Sequence, residues 1–239
     1  MSSIIKVGKV QSSTGQDAVT VADSGAITAN GGIANAGTIS AGTLGSSVVV
    51  PASVGSSMVL IAKVTASASA SIEFKHGVGG VVMDNTYGNY IFQMTQILPA
   101  SDNKHFYCNT MRGNTVSTTC RAIMNRIATD KYTTGSTNVA PAANYDTTGL
   151  FACDNVTNDT GHKLLGVSGT ITIPNPSATN VYKAGSGQFV YVRDGDYMDC
   201  VSFSGIDTVA LTAVDGLKFN FHSGNIASGT ISMYGLKDA

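Results

Sequence analysis

His76, His105, His162 and His222 are the chain's histidines, and no two stand at the short spacing that would bring a pair of imidazoles to one metal ion. Each reads as a turn or surface residue. Cys108, Cys120, Cys153 and Cys200 are as widely dispersed, with no C-x-x-C pair. They read as buried thiols, although a hairpin centred near Asn114 would set Cys108 opposite Cys120. Asp194, Asp196 and Asp199 have the look of a calcium loop without its distal glutamate, and Asp194-Gly195 is accounted for as a turn. Gly77-Val78-Gly79-Gly80 lacks the strand-to-helix setting in which glycines cradle phosphate. No G-x-S-x-G elbow occurs, and the sparse carboxylates indicate no glycosidase pair. The expectation is a protein that is not an enzyme, with no metal and no cofactor. The residues that remain are suited to recognition: Tyr132, Asn138, Asn144 and Tyr145 lie in a section from Thr129 to His162 rich in Thr, Asn, Gly and Ala. Tyrosine rings offer flat surfaces to sugar faces, and amides pair with hydroxyls. A plain surface loop or a contact between copies fits the same residues.

A rigid framework must hold such loops, and the hydrophobic pattern says what kind. Near the end of the chain, Leu217, Phe219 and Phe221 alternate with Lys218, Asn220 and His222, the period of a strand with one wet face. Ser223-Gly224-Asn225 interrupts the run, and alternation resumes with Ile231 and Met233, which predicts a C-terminal hairpin. Strands are further expected at Met58–Thr65 (a central one, being almost continuously apolar), Ser71–Lys75, Val78–Met83, Tyr87–Leu98 and Lys163–Ile173. Lys104–Arg112 and Ser117–Ile127 read as a hairpin about Gly113-Asn114. Gln188–Arg193 and Tyr197–Phe203 read as another about Asp194-Gly195, the strongest turn signal present. Short strands, turn residues between them and no amphipathic helix predict an all-β fold. It is an antiparallel β-sandwich over residues 51–239, most simply jelly-roll-like.

Residues 1–50 differ from the rest. Ile4, Ile5, Val7 and Val10 suggest a short strand. Then Ile27, Ile33, Ile39 and Leu44 recur at steps of six, six and five, separated only by Ala, Ser, Thr, Asn and Gly. So few large side chains do not offset the entropy of ordering one chain alone. Two readings fit: a linker without fixed structure, or a thin intertwined β shaft over residues 25–50 in which three copies bring these anchors to a common axis. Residues 1–24 then form an attachment segment.

Charged residues make up 12% of the 239, and the formal charge is −1. That balance gives no basic footprint for nucleic acid and no polybasic membrane anchor. The most apolar run, Met58–Val64, is short and broken by Lys63, so no membrane insertion is expected; the first eight residues lack the apolar core of a secretory signal.

Four pieces of the sequence are similar to the C-terminal head domain of virion fibres from tailed bacteriophages, especially tail-fibre-like proteins of marine podoviruses. Gly37 to Val48 (GTISAGTLGSSV) resembles a shaft-to-head junction. Tyr90-Ile91-Phe92 with Leu98-Pro99-Ala100-Ser101-Asp102 resembles an early head strand and its exit turn. Ile173-Pro174-Asn175-Pro176-Ser177 with Tyr182-Lys183 resembles a family turn. Phe221 to Ile231 (FHSGNIASGTI) with Tyr234-Gly235-Leu236-Lys237 is the most specific. The resemblance implies a virion structural protein: a homotrimer joined to tail or capsid proteins through its N-terminus, whose head adheres to a host surface glycan or protein. A head fibre or capsid decoration protein with a purely structural role is the alternative, and a carbohydrate-active enzyme the third reading.

Overall fold

The computed structural model describes residues 9–11, 14–15, 17–21, 27–29, 57–117, 120–130, 137–140, 144–147, 150–158, 166–195 and 197–237, with backbone alone at 17–21, 27–29, 129–130, 137–140, 144–147 and 150–152. Every regular element among them is a strand. The chain forms two compact units, Met1–Ser53 and Val54–Ala239.

The first unit holds β1 (Lys9–Gln11), β2 (Asp17–Val21) and β3 (Ile27–Ala29), an antiparallel three-stranded sheet in that order. Ile27 begins β3 and pairs with Val21. Ile4, Ile5, Val7, Ile33, Ile39 and Leu44 lie outside the described residues.

The second unit is one antiparallel ladder, bent until it nearly closes on itself. Its strands are β4 (Met58–Ser69), β5 (Ile72–Lys75), β6 (Asn89–Pro99), β7 (Lys104–Arg112), β8 (Thr115–Val116), β9 (Cys120–Asp130), β10 (Thr137–Ala140), β11 (Asn144–Thr147), β12 (Leu150–Val156), β13 (Val167–Pro174), β14 (Lys183–Arg193), β15 (Tyr197–Asp207), β16 (Gly216–Phe221) and β17 (Ile226–Leu236). One layer runs β4-β17-β6-β13-β14-β15-β9, and the other runs β12-β7-β16-β5. They meet at β14: its end residue Arg193 also pairs with Val156 of β12. The two outermost strands, β4 and β5, are consecutive in the chain, so the ladder returns to where it started.

The alternation expected from sequence sets which side chains the layers enclose. On β6, Tyr90, Phe92, Met94 and Ile97 are buried. The step from Met94 to Ile97 is odd by one residue because Gln96, at φ 51°, is the extra residue of a bulge. That bulge fixes its neighbour: a Cβ on Gly229 of β17 would sit 2.5 Å from the Gln96 carbonyl oxygen, at a backbone φ of +120°. Across the interface Phe92 meets Phe74 of β5 edge-on at 5.4 Å and Phe219 of β16 at 5.5 Å. Aromatic pairs in these tilted geometries are favourable beyond the area they bury.

Several neighbours differ from expectation. β16 and β17 alternate as expected, yet they form no hairpin: β16 pairs with β5 and β7, and β17 with β4 and β6. Residues 222–225 instead carry the chain from one layer to the other, so Phe219 and Met233 belong to opposite walls. Among the described residues β4 is an edge strand, paired only with β17, and Met58 and Leu60 stay exposed. Its continuous apolar run puts Met58 and Leu60 on the exposed side and Val59 and Ile61 on the half-buried side, and does not mark a central position. The turn at Gly113-Asn114 is present, with Arg112 opposite Thr115, but β8 leaves after two residues and β9 pairs with β15 in the other layer. Val78–Met83 is a turn and irregular segment, not a strand; Gly77, Gly79 and Gly80 all take positive φ there. The section from 129 to 162 is less irregular than expected, since β10, β11 and β12 fall inside it. The β14–β15 hairpin forms as predicted, with Arg193 opposite Tyr197 and Gly195 at φ 87°, so its loop spans three residues instead of two.

Candidate interaction face

Three of the four residues proposed for recognition lie along one edge of β9. Asn138 of β10 pairs with Ala128, while Asn144 and Tyr145 of β11 pair with Ile123 and Ala122. Tyr132 lies outside the described residues. The edge they border belongs to a wide sheet whose outward side has two halves of different chemistry.

Because residues directly opposite in an antiparallel pair share a face, the registers define rows across the strands. One row runs Lys63, Ser232, Gln93, Thr170, Gln188, Ser202, Asn125, from β4 to β9. It is a band of hydroxyls and amides with a single charge at one end. Toward β4 the neighbouring row is Thr65, Thr230, Thr95, and the Thr65 and Thr230 hydroxyls bond at 3.0 Å. Toward β9 the outward side turns apolar. Val190, Cys200 and Ile127 share a row, with Met198 beyond it and Ile123 and Ile206 on the far side of the polar band. Ile123, Ile127, Val190, Met198 and Ile206 are 38–53% exposed, an unusual concentration on one sheet face. Beside them lies a hollow of about 550 Å³ walled by Arg121, Ile123, Pro174, Ala184, Ser186 and Ile206, among others. The sequence carries a signal for this face, in that Ala122-Ile123-Met124 and Phe189-Val190-Tyr191-Val192 are apolar at both parities, as in strands covered on two sides. That signal specifies strands without specifying what covers them.

The inward side of β15 alternates without a break: Asp199, Val201, Phe203, Gly205 and Asp207 are buried. A carboxylate therefore enters the interior at each end of the strand. Asp207 accepts from Arg112 Nη1 at 2.8 Å, from the Ser117 hydroxyl at 3.1 Å, from the Val209 N–H at 3.0 Å and from the Thr110 hydroxyl. Lys183, directly opposite on β14 and also buried, donates to the Val181 carbonyl at 2.7 Å. Burial pushes the Lys183 ammonium below its ordinary pKa, with Arg112 adding to the shift and Asp207 opposing it. At the other end, Asp199 Oδ2 accepts from Arg193 Nε at 3.0 Å and faces Arg126 Nε at 3.7 Å. Arg126 reaches on to Asp154 at 3.3 Å, and His105 Nδ1 meets Asp154 at 2.8 Å. Guanidinium groups alternate with carboxylates through this chain, and the Arg193 guanidinium also lies 4.3 Å over the Tyr197 ring. Its chemistry is mutual neutralisation inside a wall of the sandwich. Asp199, weighed in the sequence as part of a calcium loop, spends its charge on two arginines.

The other reactive types have comparable structural employment. His76 Nδ1 accepts from the Met83 N–H at 3.1 Å, closing the glycine turn. His222 Nδ1 accepts from the His105 N–H at 3.1 Å, and burial, with His105 and Lys104 nearby, holds the His222 ring below its usual pKa. His162 lies outside the described residues. Cys108, Cys120 and Cys153 are buried, Cys200 is exposed on the apolar row, and none is in a disulfide. Among the described residues, no group of three or more His, Cys, Asp or Glu is placed to hold a metal ion, and no helix is long and apolar enough to cross a membrane. Comparison with family models, with curated proteins and with solved structures returns no match.

Proposed function

We propose that this protein is a structural fibre protein of a bacteriophage virion, displaying its β-sandwich as a head that adheres to the host surface. The observation that carries this reading is the wide outward face of the larger unit. Away from its apolar end, Ser232 with Gln93 and Thr230 with Thr95 form an uncharged patch of hydroxyls and an amide across β17 and β6, on a framework whose two layers are pinned by packed aromatics and by buried ion pairs. Neutral hydroxyls and amides, held at the interstrand step of about 4.8 Å, match a neutral polyhydroxylated ligand better than a charged one. Each contact of that kind is weak, and repetition makes it useful: several copies on one particle raise avidity by roughly 10²–10⁴ over one site. The smaller N-terminal unit would join the head to tail or capsid proteins, and the working form would be a homotrimer.

Binding of the purified full chain to host cells and to arrayed glycans tests the adhesion, and labelled antibody on intact particles tests the location. Saturable binding abolished by Gln93→Ala with Ser232→Ala supports a receptor-binding head. A particle-bound protein with no affinity for cells or glycans supports the structural alternative, a head fibre or decoration protein. Time-dependent loss of the glycan signal would instead mark an enzyme.

A further inference from the structure

The apolar end of the outward face has no role in binding a sugar, and its side chains are the wrong ones to leave in water. Ile123, Ile127, Val190, Met198 and Ile206 all point away from the core on three adjacent strands. In the neighbouring rows that cross β13, β6 and β17 the same face carries Thr170, Gln93, Ser232, Thr95 and Thr230, with exposed apolar residues returning at Leu60 and Met58 of β4. We propose that the outward face of β9, β15 and β14 packs against sister copies of this same chain, so that the heads of one assembly meet there.

Three features select a sister copy as the occupant. The first is size. Three strands about 4.8 Å apart and about 35 Å long give roughly 500 Å² per copy, and the adjoining strip of β13 brings the face toward the ~800 Å² per partner of a standard specific interface. The second is charge. Copies of one chain bear the same charges, so a self-contact requires a face with almost none. Arg121 is the one charged side chain among the outward positions of these three strands whose side chains are described. Depletion of Lys and Glu, with Met and Arg retained, is the composition of an interface core. The third is shape. The face carries projecting side chains at one end (Ile127, Val190, Met198) and the 550 Å³ hollow at the other, with the Asn125–Ser202–Gln188 band between them. A surface that presents both a projection and a recess can meet its own copy by rotation. Exposed apolar residues continue past the recess at Val181, Tyr182, Val209 and Leu211, beyond the ends of β14 and β15.

The proposal rests on the reading that the chain works as a homo-oligomer, and the test separates the two. Cys200 lies within the face and is the exposed cysteine; the other three are buried. Burial pushes the Cys108 and Cys153 thiols far up and the Cys120 thiol to about 11, so a maleimide reads Cys200 selectively. With the full chain at micromolar concentration, sedimentation gives the mass and peptide mass spectrometry gives the labelling rate. A mass that is a multiple of 24.5 kDa is expected, with Cys200 labelling roughly tenfold or more slowly than in Ile127→Asp, since thiol reactivity follows access. Ile127 is exposed, so the variant keeps its fold. A second arm uses Ser202→Cys in a Cys200→Ser background, where copper-phenanthroline oxidation yields a covalent dimer. Two results overturn the proposal. One is a 24.5 kDa species. The other is an assembly whose Cys200 labels as fast as in Ile127→Asp and whose Ser202→Cys variant never cross-links. An assembled protein that fails to bind cells overturns the adhesion reading and leaves this face intact; a monomer that binds cells does the reverse.

Discussion

Asp199 and Asp207 stand on the same inward face of β15, both closed off from solvent and both facing arginine, yet the protein treats their charges in opposite ways. At Asp207, burial would raise the carboxyl pKa, but the Thr110 hydroxyl, the Val209 N–H and the Arg112 guanidinium outweigh it and hold the group below its ordinary 3.8. At Asp199, burial again pushes upward, and Arg193, Arg126 and Tyr191 offset it only in part, so the group stays above 3.8. The difference is hydrogen bonding, not charge count. Both Asp207 oxygens receive bonds. Asp199 Oδ1 has no hydrogen-bond partner among the described residues, and Arg126 Nε stands beyond hydrogen-bond length. A buried carboxylate is stabilised by donors aimed at its lone pairs; a nearby guanidinium with loose geometry does not recover the cost of desolvation.

The largest consequence falls on Asp207→Asn. Removing that charge leaves Arg112 and the buried Lys183 together without their anion, and it turns an amide N–H toward groups that are themselves donors. Breaking a buried pair from one side costs about 3–5 kcal/mol, which in a domain of this size lowers Tm by roughly 10 °C. Calorimetry on the purified variant checks it. A melting point within a few degrees of wild type would mean that the Asp207 network contributes little and that the contrast with Asp199 is empty.

Acidification should separate the two groups by sign. Asp207, depressed in the folded state, supplies stability that is fully present above its unfolded pKa near 3.8 and is lost as pH falls through the folded value. Asp199, raised in the folded state, binds its proton more readily folded than unfolded, so its contribution increases as pH falls through the window between its folded pKa and 3.8. His222, depressed below 6.5, adds a loss that begins at higher pH, as the unfolded ring charges first. Melting curves between pH 7 and 3 therefore fall less steeply just above pH 4 in wild type than in Asp199→Asn. Below that, Asp207→Asn flattens the final descent. Parallel curves for all three proteins would contradict the assignment.

Much of this interior is legible in the sequence and some is not, for reasons visible at these same residues. Alternation in Tyr197–Asp207 assigns Asp199 and Asp207 the parity of Val201 and Phe203, so their burial is implicit once the strand is recognised. Their partners are not legible. Arg112, Arg126 and Arg193 come from three other strands, and period 2 fixes the face of a strand without fixing its neighbours. The same limit misplaces the C-terminal pair: Phe219, Phe221, Ile231 and Met233 have the parity of buried residues and are buried, but nothing local distinguishes a hairpin from a crossing between layers. The Asp194-Gly195 hairpin succeeds because turn chemistry acts between adjacent residues. Tyr132, Asn138, Asn144 and Tyr145 are selected by residue type alone. The structure puts three of them on the edge of β9, while the outward residues beside them are marked in the sequence only by runs apolar at both parities, such as Ala122-Ile123-Met124, which do not say what covers them.

Replacing Asp199 should cost less than replacing Asp207, because its arginines have somewhere else to turn. In Asp199→Asn, Arg126 keeps Asp154 at 3.3 Å and Arg193 keeps the Tyr197 ring at 4.3 Å, while the unfavourable desolvation of the carboxylate disappears. Relief of that desolvation and loss of the two arginine contacts oppose each other, so the expected drop in stability is a small fraction of that for Asp207→Asn. A loss matching that of Asp207→Asn would show that geometry counts for less here than charge.

The smallest effect, and the finest test of the contrast, concerns the tyrosine beneath Arg193. With Asp199 ionised, Arg193 is already neutralised and the Tyr197 ring adds a partly solvated cation–π contact, worth about 0.5–1 kcal/mol. With Asn at 199, the same guanidinium has lost its anion and leans on the ring, so Tyr197→Leu should cost more in that background than in wild type. A double-mutant cycle measured by urea unfolding reads the difference directly, with coupling of about 0.5 kcal/mol or more for groups in contact. Additive losses would mean that Arg193 does not redistribute its contacts, and the tolerance predicted for Asp199→Asn would then need another source. At the Asp207 end, Arg112 is held instead through the Thr212 hydroxyl at 2.9 Å and the Ala210 carbonyl at 3.0 Å. Those bonds fix its position without neutralising its charge, so the two ends of one strand are expected to respond differently to losing the same group.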